Sequence, residues 1–292
     1  MKSHFFQVPK TPIQVFSVAD FGIDIENFLK KTQTIFYQLP LDAYDCRKEQ
    51  LTFLQDNLPH VDSLENNKKL YDYYLGNKDK EIIEPLYAQL SEEKKIEFDK
   101  IKPFRRRAVS NFILEKSGDG WMYQRVPTPS FSQTEAKIEE DRFDFRSLPR
   151  NFTEISEDAV SYEDFKKLLK GVACKVGDIH PEVKKLDITA HHVLVETAKE
   201  RITSNSPEGI HQDGYDYIVS ALVVERKNIS GGISEIFAND KKSKILSTTL
   251  QPGFGLLQPD LNTDLWHHVT KIQPTSDIGF RSSIGFDIAL IR

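Results

Sequence analysis

From residue 186 to the C-terminus the chain is a succession of short apolar runs divided by turn dipeptides, with no helical period between them. The runs 186–197, 210–224, 234–238, 244–250, 255–257, 265–271 and 279–291 read as strands. Gly231-Gly232, Asn239-Asp240 and Pro252-Gly253 supply turns between them. Many short antiparallel strands cannot each bury an apolar face alone, so they must close on one another. The expected fold is mainly β with a helical N-terminal part, a double-stranded β-helix (jelly-roll, cupin-like) core buttressed by helices.

Upstream the texture is helical. Ile25, Phe28, Leu29, Phe36 and Leu39 recur at helical spacing behind a cap at Asp24, and Pro40 ends the run. Leu51, Leu54 and Leu58 mark a second helix, and Leu70, Tyr71, Tyr74 and Leu75 a third that stops at Gly76. Further helical pieces span 80–90 and, after the cap Ser91, 92–101. Segments 108–114 and 121–126 flank the turn Ser117-Gly118-Asp119-Gly120 and read as a hairpin. The polar stretch 132–146 reads as a surface loop or lid. Ser161 and Asp164 suggest a capping box for a helix with the buried stripe Phe165, Leu168, Leu169 and Val172, ended by Gly177. The division is therefore a helical extension, 1–105, packed on a core, 106–292, as one structural unit.

Composition excludes several classes. A hydrophobic share of 39% and a charged share of 28% suit a globular chain of 292 residues. The net charge of -5 is wrong for a general nucleic-acid binder, which needs clustered Lys and Arg for phosphate. Arg105-Arg106-Arg107 reads instead as a solvated or substrate-facing patch. Cys46 and Cys174 are too few for a disulfide framework or a zinc knuckle. Residues 1–9 lack the apolar stretch of a signal peptide, and no run reaches membrane-spanning length. The expectation is a cytoplasmic protein with neither membrane nor nucleic acid as partner.

The chemistry-bearing residues lie in three of the strand segments. His211 and Asp213 are two apart, so on a strand both would face one way. A distal His follows at His267 or His268, and alternation does not choose between them because both faces are mixed. Two imidazoles and one carboxylate suit Fe(II) and leave open coordination positions. Arg281 stands on the strand face of Ser283, Gly285 and Asp287, opposite the apolar Ile284, Phe286, Ile288 and Leu290. An inward arginine needs a partner, either a structural acid such as Asp287 or Asp277, or the carboxylate of a dicarboxylate co-substrate, with Ser283 a second donor. His191-His192 are adjacent and face opposite ways on a strand, so they do not read as a metal pair.

With Pro207-Glu208-Gly209-Ile210-His211-Gln212-Asp213-Gly214, Val224 through Gly232, His267-His268-Val269-Thr270 and Arg281, the chain resembles the bacterial 2-oxoglutarate/Fe(II)-dependent dioxygenases that hydroxylate free amino acids, typified by isoleucine and leucine hydroxylases. The resemblance is detailed over the last hundred residues and looser from Arg106. It implies His211, Asp213 and His267 as Fe(II) ligands, with His268 where the family has a small residue. It implies 2-oxoglutarate as co-substrate, its distal carboxylate on Arg281 and Ser283, and O2 as oxidant. The implied reaction hydroxylates an unactivated C–H bond and releases succinate and CO2. Tyr215 and Tyr217 are candidate pocket walls, and Arg105, Arg106, Arg107, Arg125 and Arg226 are candidates for the substrate carboxylate, Arg107 and Arg226 foremost. The loop 198–207 is a second candidate lid. Other readings are a hydroxylase of a carrier-tethered or peptidyl residue, and a jelly-roll binding module without catalysis.

Overall fold

The structure is a computed structural model that describes residues 13–61, 64–118, 120–131, 148–199, 201–206 and 209–292. The expected lid 132–146, the N-terminal residues 1–9 and the motif residues Pro207 and Glu208 lie outside the described residues.

The alternating apolar positions build antiparallel sheet throughout. The strands are β1 (Gln14–Ser17), β2 (Leu41–Asp42), β3 (Arg105–Ser117), β4 (Gly120–Val126), β5 (Lys185–Ala198), β6 (Tyr217–Lys227) and β7 (Ile229–Gly231). They continue as β8 (Ser234–Phe237), β9 (Lys244–Thr248), β10 (Phe254–Pro259), β11 (Trp266–Val269), β12 (Ile272–Pro274) and β13 (Ile278–Ile291). The major sheet runs β1-β10-β6-β13-β5-β3-β2, with β4 also paired to β3. The minor sheets are β11-β8-β9 and β12-β7. This is the expected jelly-roll-like β core with helices.

The two sheet faces have different tasks. Ile284, Phe286 and Ile288 of β13 are fully buried in the main core. They share it with Phe165, Leu168, Leu169, Val172 and Val176 of helix α6 (Glu163–Ile179), whose apolar stripe covers that face. The opposite face of β13 carries Arg281, Ser283, Gly285 and Asp287 toward a cavity, in the parity read from the sequence. The hairpin β3–β4 also forms as expected.

Two expectations about α6 need correction. Its N-cap is Tyr162, not Ser161, and no side-chain capping bond forms. Gly177 lies inside the helix, where an added Cβ would come within 3.0 Å of the Trp121 ring, so close packing rather than chain termination explains it. The caps at Asp24 and Ser91 hold, each accepting from a backbone N–H three residues on.

Residues ahead of Arg105 split into two groups. β1 and β2 pair with β10 and β3 of the major sheet, and α1 (Ile25–Phe36) packs on β5 and β6. The helices α2 (Tyr44–Asn57), α3 (Leu64–Leu75), α4 (Glu84–Tyr87) and α5 (Glu92–Asp99) surround a separate core that includes Leu51, Leu54, Leu70, Ile83 and Phe98.

His191 and His192 face opposite sides of β5, as alternation requires. His192 is 1% exposed and its ring lies between Phe36 at 5.8 Å and Phe165 at 5.6 Å. Burial, with His191 and Arg125 nearby, pushes its pKa down to about 3. The native protein therefore refuses a proton that the unfolded chain accepts below its ordinary value. Stability should fall as pH drops from about 6.5 toward 3, by up to about 1.4 kcal/mol per pH step from this group alone. Denaturant unfolding of the His192→Leu variant across that range should show a shallower slope than the unaltered protein.

Candidate metal centre

A hydrogen-bonded pair of backbones brings the two imidazoles together. His211 N donates to His267 O at 3.0 Å, and His267 N donates to His211 O at 2.9 Å. The isolated bridge that results sets their rings 4.2 Å apart, between centroids. His267 is fixed from its other side by β11, which pairs with β8 opposite Ile236. The choice left open by alternation is resolved by direction. His267 is 5% exposed and faces the cavity, whereas His268 lies 3.5 Å from Glu235 on the other side.

His211 and Asp213 were expected on a strand, but β6 begins only at Tyr217. They share a side because a turn is held in shape from beneath. Gly209 and Gly214 take φ of +80° and +90°, which glycine adopts without steric cost. The buried Asp260 accepts from the backbone N–H groups of Asp213 and Gly214 at 2.8 and 2.7 Å. Gln212 donates to the carbonyls of Asp260, Thr263 and Leu265, tying this turn to the segment that leads into β11.

Asp213 then sits between the rings, 3.5 Å from His211 Nε2 and 3.3 Å from His267 Nε2. One donor atom from each of the three residues lies within 4.8 Å of the others. His211 Nδ1 meets the Gly209 carbonyl at 2.9 Å, an acceptor only, so Nδ1 carries the proton and Nε2 is left as the donor atom. Burial alone would raise the Asp213 carboxyl, but His267 and His211 hold it well below the usual carboxylate range. Burial would likewise lower His267, yet Asp213 and then Asp260 raise it to about 10. These three residues would hold a divalent metal ion only after losing that proton, and the ion would then serve as the counter-charge. Two neutral imidazole nitrogens and one carboxylate, partly open to a cavity, suit divalent iron.

The same cavity, about 130 Å³, receives Arg281. Arg281 is 2% exposed and donates to Ser283 Oγ at 3.3 Å, while its Nε and Nη2 have no hydrogen-bond partner among the described residues. Neither acid that sequence parity offered pairs with it: Asp287 binds His191, and Asp277 binds Lys199. Burial, together with Arg226, pulls Arg281 down to about 9. A buried cation with unused donors is costly unless an anion meets it, and its free N–H groups can grip a carboxylate. Gly232, φ +62°, makes room, since a Cβ there would lie 3.1 Å from Arg281 Cδ.

The remaining candidates separate. Arg107 faces the cavity, as does Arg105, which pairs with Asp45 at 2.9 Å. Arg226 does not; it donates to the carbonyls of Gly231 and Gly232 and supports the turn beside Arg281. Arg106 binds the Leu39 carbonyl, and Arg125 pairs with Glu154 and Glu157. Tyr217 is a core residue, 2% exposed with its hydroxyl on His180, because β6 turns it away from the turn of His211. Tyr215 lines a small adjoining recess with Phe131 and His191. Asn205 and Ser206 of the loop 198–207 reach the cavity wall. Sequence reasoning set aside His191, which does line the cavity; pairing of β5 with β13 opposite Gly285 is what places it there, and no motif signals that register.

Fold and site together define a jelly-roll protein that gathers three metal-type donors and a buried arginine around one cavity. The chain belongs to the 2OG-Fe dioxygenase family, which matches it over residues 84–286. It is accordingly an Fe(II)- and 2-oxoglutarate-dependent dioxygenase that uses O2, and not a bare binding module. Its fold is similar to that of a bsmA homolog from Methylobium petroleophilum PM1, with TM-score 0.64 and 14% identity over 95% of this chain and 88% of that one. It is also similar to IDO from Bacillus thuringiensis, with TM-score 0.60 and 16% identity over 96% and 91% of the two chains. No curated protein matches the sequence. Among the described residues no helix is long and apolar enough to cross a membrane.

Asp260 holds the Asp213 turn through one oxygen, and its other oxygen lies 3.5 Å from His267 Nδ1. Asp260→Asn keeps the shape and removes the charge. It should weaken Co(II) binding, followed by visible absorbance, roughly 10–100-fold, as loss of an outer partner of a metal-bound His does elsewhere.

Proposed function

We propose that this dioxygenase hydroxylates an unactivated C–H bond of a free L-amino acid. His211, Asp213 and His267 hold Fe(II), and Arg281 with Ser283 receives the distal carboxylate of 2-oxoglutarate. The observation that carries this reading is the convergence of three donor atoms within 4.8 Å in the cavity that also takes an unpaired buried arginine. Bound iron, 2-oxoglutarate and O2 supply the oxidising chemistry, one oxygen atom going to succinate as CO2 leaves and the other to the substrate carbon.

The chain's own residues do the positioning. Arg281 can grip a carboxylate with two parallel N–H groups, and its planar fork fixes the co-substrate's direction as well as its place. Ser283 Oγ, already held by Arg281 Nη1, can turn its hydroxyl proton to the same carboxylate. The Gly209 carbonyl keeps the His211 ring in one tautomer and one orientation. Val193, Val219 and Val269 line the cavity and keep bulk water from its interior. Arg107, which lines the cavity along with Arg105 and Arg150, is the arginine assigned to the substrate carboxylate.

Incubation with Fe(II), ascorbate, 2-oxoglutarate and a mixture of all free amino acids should add one oxygen to one of them, read by product mass. His211→Ala should abolish that gain while the melting transition persists; unchanged turnover would refute the ligand assignment. Arg281→Lys should raise the KM for 2-oxoglutarate at least about tenfold, because an ammonium cannot reproduce a bidentate grip. An unaltered KM would place the co-substrate elsewhere.

A further inference from the structure

Opposite Arg281 the cavity has a second polar pole. Arg107 Nη2 lies 2.7 Å from His191 Nδ1, and His191 Nε2 lies 2.8 Å from Asp287 Oδ2. A guanidinium only donates, so Nδ1 accepts, and His191 is neutral with its proton on Nε2. That proton goes to Asp287. The imidazole thus stands between a cation and an anion that would otherwise close into a direct ion pair. It occupies one donor of the first and one oxygen of the second, and all three residues line the cavity of the metal-type donors.

Geometry separates this pole from the co-substrate anchor. Arg281 and Asp287 share a face of β13 but are six residues apart, about 20 Å along an extended strand. Gly285 lies between them and opens the floor, since a Cβ there would meet nothing nearer than 3.6 Å. The Arg107 plane is held 3.8 Å from the Phe152 ring centroid, with Phe131 at 5.5 Å, and its Nε has no hydrogen-bond partner among the described residues. Arg105, the neighbouring cation, is already engaged by Asp45 and the carbonyls of Ser204 and Asn205. Burial lifts the Asp287 carboxyl above its ordinary range despite His191, as for an acid whose charge lacks a full partner.

We propose that Arg107, His191 and Asp287 form a receptor for a zwitterion, with Arg107 binding the α-carboxylate of the substrate and Asp287 its α-ammonium, and that His191 is a positioning residue that holds the two charges apart. The proposal rests on the amino-acid reading above and names the residues that enforce it. Opposite charges at fixed spacing select a free α-amino acid. They reject a residue within a peptide, which has lost both, and a tethered aminoacyl group, which has lost the carboxylate.

The test uses the enzyme loaded with Fe(II) and 2-oxoglutarate, whose own absorbance band establishes the metal and co-substrate sites independently. Three matched panels are added: the free amino acids, their C-terminal amides, and the corresponding des-amino carboxylic acids. The expected result is a substrate-induced shift of the band, and succinate release above background, with a member of the first panel. The matched amide and des-amino acid should bind at least tenfold more weakly. Equal response to either analogue overturns the proposal, as does no response from any free amino acid. In that last case an intact band leaves the metal and co-substrate sites standing, whereas a missing band removes those too. Asp287→Asn should weaken the amino acid at least tenfold and leave its des-amino analogue within about twofold of its affinity for the unaltered enzyme. His191→Gln, which offers the same acceptor and donor, should hold the KM of the amino acid within a few-fold, whereas His191→Leu should raise it at least tenfold. If the two His191 variants behave alike, the relay is only a structural tie. Should a variant fail to fold, the three-panel comparison on the unaltered enzyme decides alone.

Discussion

The exchange of two backbone hydrogen bonds between His211 and His267 is the contact on which the rest of the cavity depends. It joins a turn to β11, a strand of the β11-β8-β9 sheet, and so sets one imidazole on each side of the bridge. Backbone pairing fixes side-chain direction more firmly than any contact between rings could, because it removes two chain torsions per residue from play. Asp213 then needs only a correctly shaped turn to fall between the rings. Asp260 supplies that shape by accepting both amide protons of the turn, so a residue 0% exposed and remote in sequence decides where the carboxylate points.

Electrostatics explains why this arrangement is costly to fold without a ligand. Asp213 is half-buried beside a proton held by His267, and Arg281 is buried with two nitrogens that lack acceptors among the described residues. Unmet groups of this kind each destabilise by about 1–3 kcal/mol, and more when charged. The apolar core formed by α6, α1 and the far face of the major sheet offsets that cost. Because β13 lends one face to this core and the other to the cavity, the apolar side chains that stabilise the fold also hold Arg281, Ser283, Gly285 and Asp287 in line.

What the sequence disclosed follows from what is local. Period-two alternation on β13 placed Arg281 and Asp287 on one face, and helical spacing with Asp24 and Ser91 located α1 and α5. The His-x-Asp motif was legible as chemistry although not as geometry, since those residues lie in a turn and not on β6. Cross-strand register was not legible at all. Nothing near His191 announces that β13 will pair beside it, or that β3 will bring Arg107 to its other side. Asp260 was hidden for the same reason: its partners are 46 and 47 residues away, and an isolated acid between two strands carries no pattern. Local signals also misled where a packing demand overrode them, as at Gly177, where the Trp121 ring and not a helix end requires the missing side chain.

The spacing of charge along β13 bears on how such an oxygenase avoids idle oxidation. Arg281 at one end and Asp287 near the other lie about 20 Å apart on an extended strand, and both line the cavity that the three metal-type donors line. A co-substrate anchored at Arg281 and a substrate anchored at the Arg107–His191–Asp287 pole would each approach the centre from its own side. Neither anchor can substitute for the other, because one offers donors alone and the second offers a donor and an acceptor separated by a neutral ring. A dicarboxylate at the second pole would set one of its charges against Asp287, and a zwitterion at the first would leave its ammonium facing Arg281. With the two ligands so anchored, repulsion at the wrong end would sort them before any reaction, using charges the barrel already has to hold.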